Sequence, residues 1–129
     1  MNRTIWIYVA GKYSGLTSEE VACNIAIARK WSIEIWQAGF NAFCPHLNSA
    51  HFEEYTDVSW DDYLDAYLHA VDRCDGIFMI PENWQVSTGA RIEHDHAKNI
   101  GLPVFYDIEN ICRFEWVTPW DTIGGGDGR

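Results

Sequence analysis

The chain is short of positive charge: nine Lys and Arg stand against 19 Asp and Glu in 129 residues, a formal net charge of −10. That argues against a nucleic-acid polymer or an anionic membrane surface as partner, since both are held by clustered Lys and Arg. A small anionic ligand, which feels local dipoles more than net charge, is still admitted. Cysteine is sparse and unpatterned. Cys23, Cys44, Cys74 and Cys112 show neither the CxxC spacing of a zinc site nor a dense disulfide pattern, so they are expected to be reduced and mostly buried. No apolar stretch is long enough to cross a bilayer. Nothing at the N-terminus has the form of a signal peptide, because the apolar run Ile5 to Ala10 is too short, and a cytoplasmic protein is expected. Internal repeats are absent.

What is present fits one domain. Hydrophobic residues make up 47% of the chain, enough for a core, and no second domain fits. The expected organisation is a single domain over residues 1–120 and a flexible glycine-rich tail over 121–129. Aromatic content of 15%, with seven Trp, points to stacking surfaces, a subunit interface, or both.

The stretch Cys74 to Tyr106 reads as a strand-helix-strand unit built for chemistry. Gly76 to Ile80 is an apolar run stopped by Pro81, the pattern of a strand buried on both faces of a parallel sheet. A helix is expected from about Ala90 to Ile100, ended by Gly101 and Pro103, with the next strand at Val104 to Tyr106. Glu93 shares a helical face with Ala90, Ala97 and Ile100, the face that packs on the sheet. A carboxylate there is costly to bury unless it is hydrogen-bonded or borders a cavity. Two readings stay open: a structural partner of Arg91, Lys98 or the helix dipole, or a functional group at the carboxyl edge where open α/β sheets bind ligands. Ser87, Thr88 and Gly89 precede the helix, as an ordinary N-cap or as an anion site of free backbone N–H groups.

Elsewhere the pattern alternates strand and helix. Thr4 to Ala10 reads as a central first strand, and Gly11 to Leu16 as a loop at the carboxyl edge in which Lys12 faces a bound phosphate or simply solvent. Thr17-Ser-Glu-Glu20 has the form of a capping box opening a helix to about Ala38, with Val21, Ile25, Ala28 and Ile35 inward. Phe40 to Cys44 is a short second strand, and Pro45 to His51 is a polar segment with His46 and His51 at the same edge. Phe52 to Val58 reads as acidic connecting chain. Ser59 starts a helix whose stripe of Tyr63, Leu64, Tyr67, Leu68 and Val71 is expected to be core. Beyond Tyr106 irregular chain is expected to about Trp120. His94 and His96 are two apart and point to different sides of their helix, and with no zinc-type spacing no metal is expected. The fold class is therefore α/β: a three-layer α/β/α sandwich with a mainly parallel sheet of four or five strands, Rossmann- or flavodoxin-like.

Three segments, IYVAG (Ile7 to Gly11), CPHLNSAH (Cys44 to His51) and CDGIFMIPENWQVSTGARIEHDHAKNIGLPVFY (Cys74 to Tyr106), resemble the nucleoside 2-deoxyribosyltransferase-like superfamily, especially its small branch in bacteriophage and bacterial genomes. The resemblance implies a catalytic glutamate at Glu93 that attacks the anomeric carbon of a nucleoside or nucleotide, and a tyrosine, Tyr8, that orients it. Ser87 matches the serine of members that act on monophosphates. Gly11, Lys12 and Gly89 fit the phosphate-facing edge, and His46 and Asn48 fit contacts to base or sugar. Where the family usually has a proton-donating aspartate this chain has Tyr67, and Asp65 is the expected substitute; relatives often have a proline where Lys12 stands. The implied function is an N-glycosidase or base-exchanging deoxyribosyltransferase acting without a cofactor on a small nucleoside or nucleotide, as a homodimer or larger. The alternative is a module on the same fold that binds a nucleotide without turnover.

Overall fold

The element order follows from where apolar runs meet glycine, proline and capping residues. A computed structural model describes residues 3–117. Strand β1 (Trp6–Ala10) is buried from Ile7 onward, and β3 (Gly76–Met79) is buried throughout, as two-sided apolar runs require. β2 (Asn41–Phe43) and β4 (Val104–Phe105) flank them. All pairings are parallel, and the four-stranded sheet has the order β2-β1-β3-β4, with Tyr8 opposite both Phe43 and Ile77. This is the expected α/β sheet. The expected tail at 121–129 and the last three residues of the expected domain lie outside the described residues.

Parallel neighbours need crossovers, and helices supply them on both faces. α1 (Ser18–Gln37) begins at the predicted capping box, where Thr17 and Glu20 each hold the other's backbone N–H. It packs Ala28 and Ile35 on the face formed by Ile7, Val9, Phe78 and Ile80. A single turn, α2 (Pro45–Asn48), starts on Pro45 where only a polar segment was expected. α3 (Trp60–Arg73) is capped by Ser59, and α4 (Thr88–Asn99) by Ser87. These two cover the opposite face, where Tyr8, Ala10, Ile77 and Met79 meet Val71, Ala90 and Ala97. α4 ends before Gly101, whose φ of 77° lies in the left-handed region.

Several expectations need correction. Of the α3 stripe only Val71 is buried. A crossover helix runs antiparallel to its strands, so α3 begins at the carboxyl edge, where Tyr63 and Leu64 line a cavity and Tyr67 both lines it and packs on Phe43 of β2. The chain after Tyr106 is not wholly irregular: α5 (Ile108–Arg113) is capped by Asp107, whose Oδ1 accepts from the Asn110 N–H at 2.8 Å. All four cysteines are free, but only Cys44 is buried and Cys23 and Cys112 are exposed. Among the described residues no helix is long and apolar enough to cross a membrane.

Gly11 ends β1 because the sheet leaves no room for a side chain. A Cβ there would stand 2.4 Å from Ile80 Cδ1 and 2.9 Å from Asn83 Oδ1. Gly11→Ala is therefore expected to destabilise the fold by about 1–3 kcal/mol. The check is the urea midpoint at unchanged slope, and an unshifted midpoint would refute this packing argument.

Candidate functional site

The carboxyl edge gathers the loops after β1, β2 and β3 and the N-termini of α3 and α4 around a cavity of about 640 Å³. Open parallel sheets place ligands at this edge. Glu93 lies in its wall, only 7% exposed, on the α4 face that also buries Ala90 and Ala97. Its partner is neither Arg91 nor Lys98, both of which are exposed. Tyr8, wholly buried at the middle of β1, donates its hydroxyl proton to Glu93 Oε2. Strand alternation directs Tyr8 towards α4 while Ile7 and Val9 face α1.

Burial pushes the Glu93 carboxyl from its ordinary 4.5 up to about 7, against the Tyr8 hydrogen bond, which pulls it down. The Tyr8 phenol is raised well above its ordinary value, by burial first and then by Glu93, so Tyr8 stays a donor. The result is a carboxylate that ionises near neutral pH with one oxygen fixed. Such a group serves as a nucleophile or as a proton carrier.

The β1 loop is pinned from three sides. Asn83 Oδ1 accepts from the Lys12 N–H at 2.9 Å, and Asn24 Nδ2 donates to the carbonyls of Tyr13 and Ser14 at 3.2 and 3.1 Å. The Tyr13 hydroxyl accepts from the His51 N–H at 2.8 Å and donates to Glu53, 2.8 Å from Oε2. His46 is buried on α2 with its Nδ1 3.7 Å from Cys44 Sγ, and its Nε2 has no hydrogen-bond partner among the described residues. Burial lowers its pKa, partly offset by backbone groups of Lys12 and Gly11, so the imidazole is neutral at pH 7.

Of the residues singled out by sequence, Gly11, Lys12, His46, Ser87, Gly89 and Glu93 line the cavity, and Tyr8 stands behind Glu93. Ser87 is nearly buried, and its Oγ accepts from the Ala90 N–H at 3.1 Å as the α4 N-cap. Gly89 leaves its backbone open, since an added Cβ would meet only Trp60 Cζ2, at 3.9 Å. Two residues do not join them. Asn48 is exposed and donates to the Tyr67 hydroxyl at 3.2 Å. Asp65 is exposed away from the cavity, because two residues along a helix are about 200° round it from Tyr67. Tyr67 itself lines the cavity, sharing a 2.6 Å hydrogen bond with Ser49.

Sequence reasoning missed Tyr13, Asn24, Ser49, Glu53, Trp60 and Asn83. Their roles arise from contacts between loops, for which periodicity carries no signal. Among the described residues no group of three or more His, Cys, Asp or Glu is placed to hold a metal. His94 stacks on Trp84 with ring centroids 4.5 Å apart and bonds the Tyr106 hydroxyl, and His96 meets Asp72 at 2.6 Å.

The family model DUF4406, described as a domain of unknown function, matches residues 5–106, and the chain belongs to that family. Neither a curated protein nor a solved structure matches it.

Because the folded state raises the Glu93 pKa, unfolding favours proton release above pH 4.5, and stability falls as pH rises from about 4.5 to about 7. Glu93→Gln keeps an acceptor for Tyr8 without a charge to desolvate. It is expected to be more stable than the wild type at pH 8 by up to about 3 kcal/mol, with most of the gain gone at pH 5. Denaturation curves at the two pH values check this, and an equal gain at both would refute it.

Proposed function

We propose that this DUF4406 domain is an N-glycosidase acting on a nucleoside monophosphate, ribo or deoxy, with Glu93 as nucleophile. The observation that carries the reading is a buried carboxylate in a cavity wall, held through one oxygen by a buried tyrosine. In the proposed reaction a Glu93 oxygen attacks the anomeric carbon as the C–N bond breaks. The base departs with the bonding electrons and takes up a proton, leaving a glycosyl ester on Glu93. Water then attacks the same carbon, supplies the hydroxyl of the free sugar phosphate and releases the carboxylate and a proton. Transfer to a second base is the same sequence with the base in place of water. This is retaining chemistry, supported by the resemblance of the Glu93 and Tyr8 segments to the nucleoside 2-deoxyribosyltransferase-like superfamily.

The preference for a monophosphate rests on the α4 N-terminus. Ser87, Thr88 and Gly89 border the cavity four to six residues before Glu93, and a helix N-terminus favours an anion. Lys12 borders it as well. The same resemblance suggests a homodimer or larger assembly.

A second reading, a module that binds a nucleotide without turning it over, is favoured by one observation. Tyr67 lines the cavity at the place where the nucleoside 2-deoxyribosyltransferase-like superfamily, which the chain resembles, usually has an aspartate, and Asp65 is turned away from the cavity.

Base release from ribo- and deoxyribonucleosides and their monophosphates, followed by chromatography, separates the readings. The glycosidase is expected to free a base from a monophosphate, and Glu93→Ala to free none. No release from any substrate, with a raised melting temperature in one nucleotide, would leave the binding module.

The nucleophile is active only when ionised, so kcat/KM is expected to rise with pH through about 7. Tyr8→Phe removes the hydrogen bond that lowers the Glu93 pKa and is expected to move that rise to higher pH. An unmoved pH profile would show that Tyr8 does not tune the carboxylate.

A further inference from the structure

In the reaction read above one proton has no source: the base departs with the bonding electrons and has to be protonated as it leaves. Its donor must border the same cavity as Glu93. Aliphatic hydroxyls are too weakly acidic for this, which leaves three phenols, Tyr13, Tyr63 and Tyr67, besides Lys12 and His46. His46 is kept neutral by its burial, and a neutral imidazole is a poor acid. Tyr13 is committed, because its oxygen accepts the His51 N–H and its proton is directed at Glu53, 2.8 Å from Oε2. Lys12 serves the phosphate in that reading. Tyr63 and Tyr67 remain, about one turn apart on α3.

Packing separates the two. Tyr67 rests on Phe43 with ring centroids 6.1 Å apart, and Phe43 rests on Tyr8 at 5.8 Å. One ring thus touches both Tyr67 and the phenol that holds the nucleophile. Tyr67 also acts on that phenol directly, since its proximity adds to the rise in the Tyr8 pKa after burial, Glu93 and Cys44. Tyr63 does not pack on the cluster around Tyr8, and its hydroxyl shares a 3.2 Å hydrogen bond with Thr56 on the exposed segment before α3.

The groups around the Tyr67 oxygen decide where its own proton goes. Asn48 Nδ2 donates to that oxygen at 3.2 Å, and Ser49 Oγ lies 2.6 Å from it. The Ser49 proton has two acceptors in reach, this oxygen and the Pro45 carbonyl at 3.4 Å, and the shorter contact favours Tyr67. A phenol oxygen that accepts two hydrogen bonds keeps its own proton for a third group, and Tyr67 borders the cavity. The same two donors hold the negative charge that the oxygen takes on when the proton leaves.

We propose that Tyr67 is the proton donor to the departing base, with Asn48 and Ser49 aiming its hydroxyl. This rests on the glycosidase reading given above. As the C–N bond breaks, its electron pair stays with the base, the Tyr67 O–H bond breaks, and the proton joins a ring nitrogen or carbonyl oxygen of the base. The phenolate then takes a proton from the water that attacks the glycosyl ester on Glu93, which restores both side chains.

The test compares the wild type with Tyr67→Phe, which keeps the ring on Phe43 and removes only the hydroxyl. The substrates are the common ribo- and deoxyribonucleoside monophosphates and 4-nitrophenyl 2-deoxyribofuranoside 5-phosphate, whose nitrophenolate departs without a proton. On the nucleotides Tyr67→Phe is expected to lower kcat by about 100-fold or more with KM within about threefold, and on the nitrophenyl compound to change kcat by less than about threefold. An equal loss for both kinds of leaving group, or no loss on the nucleotides, overturns the assignment. The pH profile decides the same point on the nucleotides alone. The wild-type rate is expected to fall in alkali, where a phenol has no proton to give, and the fall to be absent from Tyr67→Phe. A fall that persists in the variant, or none in the wild type, overturns the assignment and leaves the glycosidase reading standing. If the wild type frees no base from any nucleotide, both fail together.

Discussion

The hydrogen bond from Tyr8 to Glu93 joins the middle of the sheet to the helix that borders the cavity. For it to exist, β1 must be an inner strand and α4 must lie directly over it. Both conditions are met by the order β2-β1-β3-β4 and by the small residues Ala90 and Ala97 on the buried face of α4, which let the helix come close. A bulky side chain at either alanine would lift α4 from the sheet and part the pair. The phenol is buried beyond deprotonation in ordinary conditions, so it can only donate to the carboxylate. The remaining acceptor capacity of Glu93 is left to the cavity it lines.

Around this pair the loops are held by side chains that reach across long stretches of chain. Asn83 takes the Lys12 N–H, Asn24 takes two carbonyls of the same loop, and Tyr13 ties it to the segment after β2. Each bond contributes only about 1 kcal/mol to stability. Their combined effect is geometric: a glycine-containing loop that would otherwise sample many conformations is fixed at the carboxyl edge. Gly11 belongs to the same arrangement, because its missing side chain is the space filled by Ile80 and Asn83. Cavity shape is thus set before any ligand arrives, which reduces the ordering that binding would require.

Much of this was legible in the sequence, and the boundary is physical. The capping box at Thr17 and Glu20, the apolar runs of β1 and β3, and the glycine after α4 are local signals, and they placed the parallel sheet and its helices. Glu93 was found because a charge on an otherwise small, apolar helical face is anomalous whatever surrounds it. Asp65 went astray because it was chosen for its nearness in sequence to Tyr67, and on a helix nearness in sequence does not give a shared face. The inward stripe of α3 was read correctly as a stripe, but periodicity cannot tell whether a sheet or a void lies opposite. Glu53 was hidden altogether. It sits in an acidic stretch indistinguishable by composition from solvated chain, and only its contact with Tyr13, 40 residues away, sets it apart.

The acidic character of the chain is compatible with a phosphate at the α4 N-terminus once distances are considered. In physiological salt, charges beyond about 8 Å across solvent are largely screened. Most of the 19 carboxylates counted in the sequence therefore act weakly on a ligand inside the cavity. The amides at the start of α4 would meet a phosphate bound there at contact distance beside low-dielectric walls, where the same partial charge is worth several times more than in water. Glu93 adds little repulsion, being held near half-ionisation at neutral pH by its burial. Glu53 is the one exposed carboxylate in the wall, and it would repel phosphate strongly if the two met.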